Sequence, residues 1–118
     1  KHALISFKQG ANGDEDFSAP EHNFSKRVGN QYEVARIVYE LNKLKPKEVC
    51  TSLQSRYWGY DKNAKHKNFD DIYSYYLDAI KNDTNLLLNV GPLPDGSIHY
   101  EDIITLTKLG KKINPPKP

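Results

Sequence analysis

The sequence predicts an α/β fold built on a parallel sheet, and two observations lead to that prediction. Short apolar runs bounded by charged or turn-forming residues alternate with longer segments in which apolar residues recur every three or four positions. The resulting order is strand, helix, strand, helix, strand, helix. Strands that alternate with helices pair in parallel and are joined by right-handed crossovers. We therefore expect the residues that follow the strands to meet at one edge of the sheet, where such folds bind ligands.

Three apolar runs are predicted to be strands. They are Ala3–Phe7, Val49–Leu53 and Leu86–Val90. An apolar run of this length between turn formers is typical of a strand that is covered on both faces. A long loop, Gln9–Gly29, follows the first strand and is rich in Gly, Asp, Asn and Ser.

Three helices are predicted between and after these strands. An apolar stripe over Asn30–Leu44 indicates the first helix, which Pro46 ends. Asn68, followed closely by two aspartates, is suited to capping the second helix, because the positive end of the helix dipole favours negative charge there. The third helix is expected over Glu101–Ile113.

The composition argues against two classes of partner. With 118 residues, 37% hydrophobic and 27% charged, the chain can bury one globular core. Its net charge of +2 comes from lysines scattered among nearly as many acids, which leaves no basic patch suited to nucleic acid. No run approaches the roughly 18 apolar residues that a membrane helix needs. We expect neither nucleic acid nor a membrane as a partner.

Several kinds of site lack their motifs. Neither glycine pattern for nucleotide phosphates, GxGxxG or GxxxxGK[ST], follows a predicted strand, and the serine-hydrolase pattern GxSxG is absent. The four histidines show no metal-ligand spacing, and Cys50 is the only cysteine. The sequence therefore predicts no metal, no cofactor and no internal disulfide.

The last predicted strand ends in a polar residue, Asn89, within the stretch TNLLLNVGPLPDG. An unpaired amide out of water costs roughly 1 to 3 kcal/mol, so this side chain either finds buried partners or faces a ligand. Native proteins commonly bury asparagines whose hydrogen bonds are satisfied. The residues alone leave both interpretations open.

Two glutamates and a tryptophan are further candidates. Glu21 follows Pro20, which stiffens the backbone, and lies close in sequence to apolar residues. A carboxyl group held against apolar groups favours its protonated form, which suits a general acid, although a solvated loop charge is the plainer alternative. Glu48 precedes the second strand, where a solvent-facing side chain is expected. Trp58 offers a flat apolar face on which a sugar can stack, although such rings more often close a core.

With these motifs in order, the chain resembles the retaining α-L-fucosidases of glycoside hydrolase family 29. The resemblance extends from Leu4 to about Gly110. Four motifs carry it in the family's order and spacing: LISFKQG from Leu4, EDFSAPE from Glu15, EVCTSLQ from Glu48 leading into Trp58-Gly59-Tyr60, and NLLLNVGP from Asn85 with Asp95-Gly96.

The resemblance implies a fold and a domain organisation. The chain corresponds to the last three βα units of a (β/α)8 (TIM-like) barrel and is incomplete as an isolated chain. Residues 1–114 would form the C-terminal portion of the catalytic barrel, and residues 115–118 a truncated tail. A full barrel takes about 250 residues, so the remainder of the barrel is needed.

The resemblance also implies roles for individual residues. Glu21 would be the acid/base carboxyl, with Glu48 as the second-ranked alternative. Lys8, Trp58 and Asn89 would bind the substrate, a fucosylated glycan or another α-L-fucoside, and no cofactor is implied.

The family's nucleophile is an aspartate on a strand that would precede this sequence. We therefore expect the isolated chain to be inactive. By the same resemblance the protein would be secreted, periplasmic or lysosomal. The alternative is a non-catalytic carbohydrate-binding or scaffold fragment derived from such a barrel.

Overall fold

The computed structural model describes residues 3–6, 14–19, 21 and 40–115. Its elements are β1 (Lys47–Ser52), α1 (Phe69–Lys81), β2 (Thr84–Asn89) and α2 (Tyr100–Ile113), and residues 40–42 are also helical. The predicted strand, helix, strand, helix order is confirmed for this part of the chain. The chain divides into two compact units, the first comprising Lys1–Thr51 with Ala79–Leu87 and the second Ser52–Asp78 with Leu88–Pro118.

The two strands pair in parallel. Asn85 donates a hydrogen bond to Glu48, and Asn89 donates one to Ser52, and both pairs are 37 residues apart in sequence. A constant separation along two paired strands means that they run in the same direction. The sheet order is β1-β2, with α1 forming the crossover between them.

In the first unit, a further segment pairs with β1. Ser18 bridges Lys47 and Glu21 bridges Cys50, and both bridges are parallel. A strand has only two hydrogen-bonding edges, and β2 occupies one of them. Ser18 and Glu21 therefore lie along the other edge of β1, running in the direction of both strands.

The first predicted strand, Ala3–Phe7, is wrong over residues 3–6, where the structure has no regular element; Phe7 lies outside the described residues. The backbone N–H of Ile5 donates to the Asp16 carboxylate, and its carbonyl accepts from the Asp16 N–H. An apolar run predicts burial but does not specify which segment supplies the hydrogen-bond partners. Here Ser18, within the expected loop Gln9–Gly29, takes the place beside β1.

The helix predicted over Asn30–Leu44 falls mostly outside the described residues. Its described part is helical at residues 40–42 and ends before Pro46, as expected. None of the helices within the described ranges is long and apolar enough to cross a membrane.

The core of the second unit forms where α1 and α2 pack with the residues that end the two strands. Leu53, Ile72 and Leu109 are buried at its centre. The half-buried side chains that pack against them are Phe69, Tyr73, Tyr76, Leu88, Val90, Leu106 and Ile113. Spacings of three and four residues place the α1 members on one helical face.

A capping box fixes the start of α1. The Asn68 side chain accepts from the Asp71 N–H at 3.0 Å, and the Asp71 carboxylate accepts from the Asn68 N–H at 3.1 Å. These reciprocal bonds satisfy two N–H groups that the first helical turn leaves without helical partners. The predicted cap at Asn68 is confirmed.

Replacing this cap is expected to weaken the fold. Asn68→Ala removes one of the two bonds and should lower the free energy of unfolding by about 1 kcal/mol. Urea denaturation followed by circular dichroism would measure the loss. Ser74→Ala, at an exposed position inside the same helix, is the control and should not destabilise the chain. Equal stability of Asn68→Ala and Ser74→Ala would contradict the assignment.

Candidate functional site

The side chain of Asn89 finds protein partners at the end of β2. Its amide donates to the Trp58 carbonyl at 2.6 Å and to the Ser52 hydroxyl at 3.3 Å. The backbone carbonyl of Asn89 accepts from the Leu53 N–H at 2.9 Å. The amide thus connects the end of the strand to the Trp58 backbone and fixes the position of the loop that follows β1.

Two glycines bring the same segments into close contact. A Cβ atom at Gly91 would lie 2.6 Å from the carbonyl carbon of Gly59 and 2.6 Å from the backbone nitrogen of Tyr60. Real Cβ atoms do not approach backbone atoms so closely, so only glycine fits at position 91. The Asn89-Val90-Gly91 and Trp58-Gly59-Tyr60 motifs are therefore packed backbone against backbone.

The loop that carries Trp58 is closed at its base by antiparallel pairing. Gln54 bridges His66, and the flanking bonds run from the Ser55 N–H to the Lys65 carbonyl and from the Lys67 N–H to the Leu53 carbonyl. Within the loop, the Asp61 N–H donates to Gln54 Oε1 at 3.1 Å. The exposed aromatic residues Tyr57, Trp58 and Tyr60 lie in the loop, just after the first segment of this base.

Lys67 contributes a positive charge at the base of the loop. Its ammonium group donates to the carbonyls of Ser52 and Gln54, the residues that end β1 and begin the loop. Burial lowers the pKa of Lys67, and the Asp71 carboxylate opposes this effect. Sequence reasoning missed this residue, because nothing distinguishes it from the other lysines of a lysine-rich chain.

A buried histidine–aspartate pair lies behind the loop. His66 Nδ1 and Asp102 Oδ1 are 2.7 Å apart, and the two side chains are 7% and 0% exposed. Asp102 lies in the first turn of α2, where the helix dipole stabilises a carboxylate. Its second oxygen, Oδ2, has no hydrogen-bond partner in the part of the chain that the structure describes. Neither residue was predicted, because the two lie 36 positions apart and no local pattern marks the pairing.

The predicted site residues fall in different parts of the structure. Trp58 and Asn89 are brought together in the second unit. Glu21 and Glu48 belong to the first unit, where Glu21 is exposed and bridges Cys50. Lys8 lies outside the described residues.

Glu48 is the second residue of β1 and therefore lies at the amino end of the strand. Its carboxylate accepts from the Asn85 amide at 2.8 Å, a cross-strand contact near the start of β2. Ligands of parallel α/β sheets bind at the opposite, carboxyl end of the strands. The carboxyl end is also where Asn89 is found.

The loop after β2 turns on Gly96, whose φ of 84° is readily adopted only by glycine. The Ser97 hydroxyl and the Ser97 N–H both donate to the Asp95 carboxylate, at 2.6 and 2.9 Å. These two bonds lower the pKa of Asp95, with the hydroxyl as the larger cause. Among the described residues, no three His, Cys, Asp or Glu side chains come close enough together to hold a metal ion.

Comparison with known proteins identifies the family. The family model for α-L-fucosidases matches residues 6–115 of the chain. The chain belongs to the α-L-fucosidase family. Among curated proteins, none matches the chain significantly.

Solved α-L-fucosidases share its fold. An enzyme of glycoside hydrolase family 29 from Bacteroides thetaiotaomicron is 21% identical with a TM-score of 0.64, over 85% of this chain and 22% of its own. Isoenzyme 1 from Paenibacillus thiaminolyticus is 24% identical with a TM-score of 0.58, over 85% and 22%. The enzyme from Lactobacillus casei with bound α-L-fucose is 22% identical with a TM-score of 0.58, over 90% and 30%. The chain therefore spans between about a fifth and a third of these fucosidases.

The contact at Gly91 in this fucosidase-family chain predicts the effect of a single methyl group. Gly91→Ala should force the backbone at residues 59–60 to move, destabilise the chain by about 1 to 3 kcal/mol and change the fluorescence of Trp58, its only tryptophan. Urea denaturation and the emission spectrum measure the two effects.

Gly110→Ala is the matched control for this substitution. A Cβ at Gly110 meets nothing within 4 Å, and the residue lies inside α2. Alanine there should stabilise the helix by about 0.5 to 1 kcal/mol. The packing argument fails if Gly91→Ala is as well tolerated as Gly110→Ala.

The turn at Asp95 predicts a pH effect. Ser97→Ala removes the larger cause of the lowered pKa, so the pKa of Asp95 should rise toward 3.8. In the unaltered chain the Asp95 carboxylate contributes stability above about pH 4, and this contribution disappears as pH falls through the lowered pKa. An NMR titration of Asp95 measures the shift, with Ser55→Ala as the control. An unchanged titration in Ser97→Ala would show that the hydroxyl does not hold the carboxylate.

Proposed function

We propose that this chain supplies the acid/base side of the sugar pocket of a retaining α-L-fucosidase. The observation that carries the proposal is the bond from the Asn89 amide to the Trp58 carbonyl. It joins two motifs of the family at the carboxyl end of β2, where parallel α/β folds bind their ligands. The match of the family model across residues 6–115 supports the same assignment.

Glu21 is the proposed acid/base residue. It pairs with Cys50 of β1, three residues after Ser18 pairs with Lys47. Because both bridges are parallel, Glu21 lies nearer than Ser18 to the carboxyl end of β1. The residue is exposed in the described part of the chain. Glu48 ranks second, because it lies at the amino end of β1 and its carboxylate is bonded to Asn85.

The proposed reaction proceeds in two steps. A carboxylate from outside this chain attacks the anomeric carbon of the fucoside while Glu21 protonates the departing oxygen. Glu21 then removes a proton from water, and that water releases fucose from the covalent intermediate. Retaining pairs of carboxyl groups stand about 5 to 5.5 Å apart. A trapped covalent intermediate in the Bacteroides thetaiotaomicron relative is consistent with this route.

Trp58 and Asn89 would form part of the pocket wall, and Lys8 would contribute a charge from the first motif. In this role the ring of Trp58, a residue that is 36% exposed, packs against the apolar side of the sugar. Asn89 fixes the backbone of Trp58, so its contribution to binding is made through the position of the loop.

The rest of the barrel would come from polypeptide outside these 118 residues. Parallel sheets are normally covered on both faces. In the described part, however, the sheet has two strands and Leu87 of β2 remains 47% exposed. Further barrel strands would cover such side chains and supply the nucleophile. The isolated chain is therefore proposed to be inactive.

The decisive experiment replaces Glu21 and Glu48, one at a time, in the polypeptide encoded by the complete reading frame. Glu21→Gln should reduce hydrolysis of 4-nitrophenyl α-L-fucopyranoside by about 10²- to 10⁴-fold, because general acid and base catalysis is lost. Sodium azide, a nucleophile that needs no general base, should partly restore turnover and yield fucosyl azide. Both are followed by release of 4-nitrophenol and by product analysis.

Glu48→Gln is the matched control and should retain activity within a few fold. The reverse result would reassign the acid/base role to Glu48. In that case Glu48→Gln would lose activity that azide restores, whereas Glu21→Gln would remain active. Fucose binding by the complete polypeptide without any hydrolysis would favour a non-catalytic carbohydrate-binding protein.

A further inference from the structure

The buried pair behind the Trp58 loop forms one end of a chain of hydrogen bonds that reaches the loop itself. Asp102 contacts His66 Nδ1, His66 Nε2 lies 3.5 Å from Gln54 Nε2, and Gln54 Oε1 accepts from the Asp61 N–H. Gln54 is 1% exposed, so water does not compete for its amide. A side chain of α2 is thereby connected to the backbone of the loop.

The donor and the acceptor of each bond in this chain of hydrogen bonds can be assigned by starting from the Asp61 backbone N–H. A backbone N–H can only donate, so the Asp61 N–H requires an acceptor and fixes the Gln54 amide with Oε1 toward Asp61. The NH₂ group of Gln54 then faces His66 Nε2. Because an NH₂ group donates, His66 Nε2 must be the unprotonated, accepting nitrogen. The single ring proton lies on Nδ1 and is donated to the Asp102 carboxylate.

The neighbouring histidine is held in the opposite form. His99 caps α2, and its Nδ1 accepts from the Glu101 N–H at 3.4 Å, which leaves its proton on Nε2. The rings of His66 and His99 are stacked with centroids 4.1 Å apart. Two adjacent histidines thus differ in the nitrogen that carries the proton, which makes each an internal reference for the other.

We propose that His66, held with its proton on Nδ1 between Asp102 and Gln54, is a positioning residue for the Trp58 loop. It orients the Gln54 amide, which binds the Asp61 backbone directly after Gly59-Tyr60. Together with the Asn89 bond to Trp58, this second attachment holds the loop from both of its sides. The consequence for fucose binding rests on the proposed function, whereas the positioning itself does not.

The first test reads the ring nitrogens of the full chain by long-range ¹H–¹⁵N NMR at about pH 7. His66 should carry its proton on Nδ1 alone, and His99 on Nε2. In Gln54→Glu the carboxylate still accepts from the Asp61 N–H but presents an acceptor to His66, so His66 should become doubly protonated. A proton on Nε2 of His66 in the unaltered chain, or an unchanged His66 spectrum in Gln54→Glu, would overturn the proposal.

The second test reads the loop through Trp58, the only tryptophan of the chain. His66→Asn keeps a donor for Asp102 but is too short to reach Gln54. The Trp58 emission of this chain should shift to longer wavelength. In the polypeptide encoded by the complete reading frame, the same substitution should weaken fucose binding about tenfold, the scale of one lost hydrogen bond. Asn63→Ala, an exposed change in the same loop, is the control.

The outcomes separate positioning from sugar binding. An unshifted Trp58 emission in a folded His66→Asn chain, judged by circular dichroism, would overturn the positioning role even if fucose binds. A shifted emission in this chain, together with unchanged fucose affinity when His66→Asn is placed in the polypeptide encoded by the complete reading frame, would support the positioning role and count against the proposed function. If His66→Asn does not fold, the NMR comparison of the unaltered chain with Gln54→Glu decides the matter alone.

Discussion

The hydrogen bond from the Asn89 amide to the Trp58 carbonyl is the interaction on which the candidate site depends. At 2.6 Å it links the end of β2 to the loop that follows β1, so the ends of the two neighbouring strands are held together. Gly91 extends the contact, because its missing side chain allows the Gly59 backbone to approach. Without these two contacts, a loop that carries three exposed aromatic residues would be expected to be mobile, as exposed loops generally are.

Local sequence patterns predicted the elements of the second half of the chain well. The cap at Asn68 depends on residues within four positions of each other, so its physical cause is visible in the sequence. The strand predicted at Ala3–Phe7 failed over residues 3–6 for the complementary reason. Strand formation requires a partner, and the partner of β1 on that side proved to be Ser18 rather than the more apolar run.

The candidate site was predictable only where a family motif marked it. Trp58 and Asn89 were predicted through the resemblance, and the structure adds that they are bonded to each other. His66 and Lys67 could not be found in this way, because their importance comes from contacts with residues distant in sequence. A lysine whose pKa is lowered by burial looks the same in a sequence as one in solvent.

The buried carboxylate of Asp102 is the feature of the fold that is hardest to explain by stability alone. Burying a carboxylate is costly even when it accepts a hydrogen bond, and Oδ2 of Asp102 has no partner among the described residues, which adds to that cost. Its position in the first turn of α2 offsets part of the cost through the helix dipole. The remainder is consistent with a positional role, because apolar side chains at 66 and 102 could fill the same space but could not orient the Gln54 amide. Specificity of arrangement, rather than net stability, is then what the pair contributes to the loop.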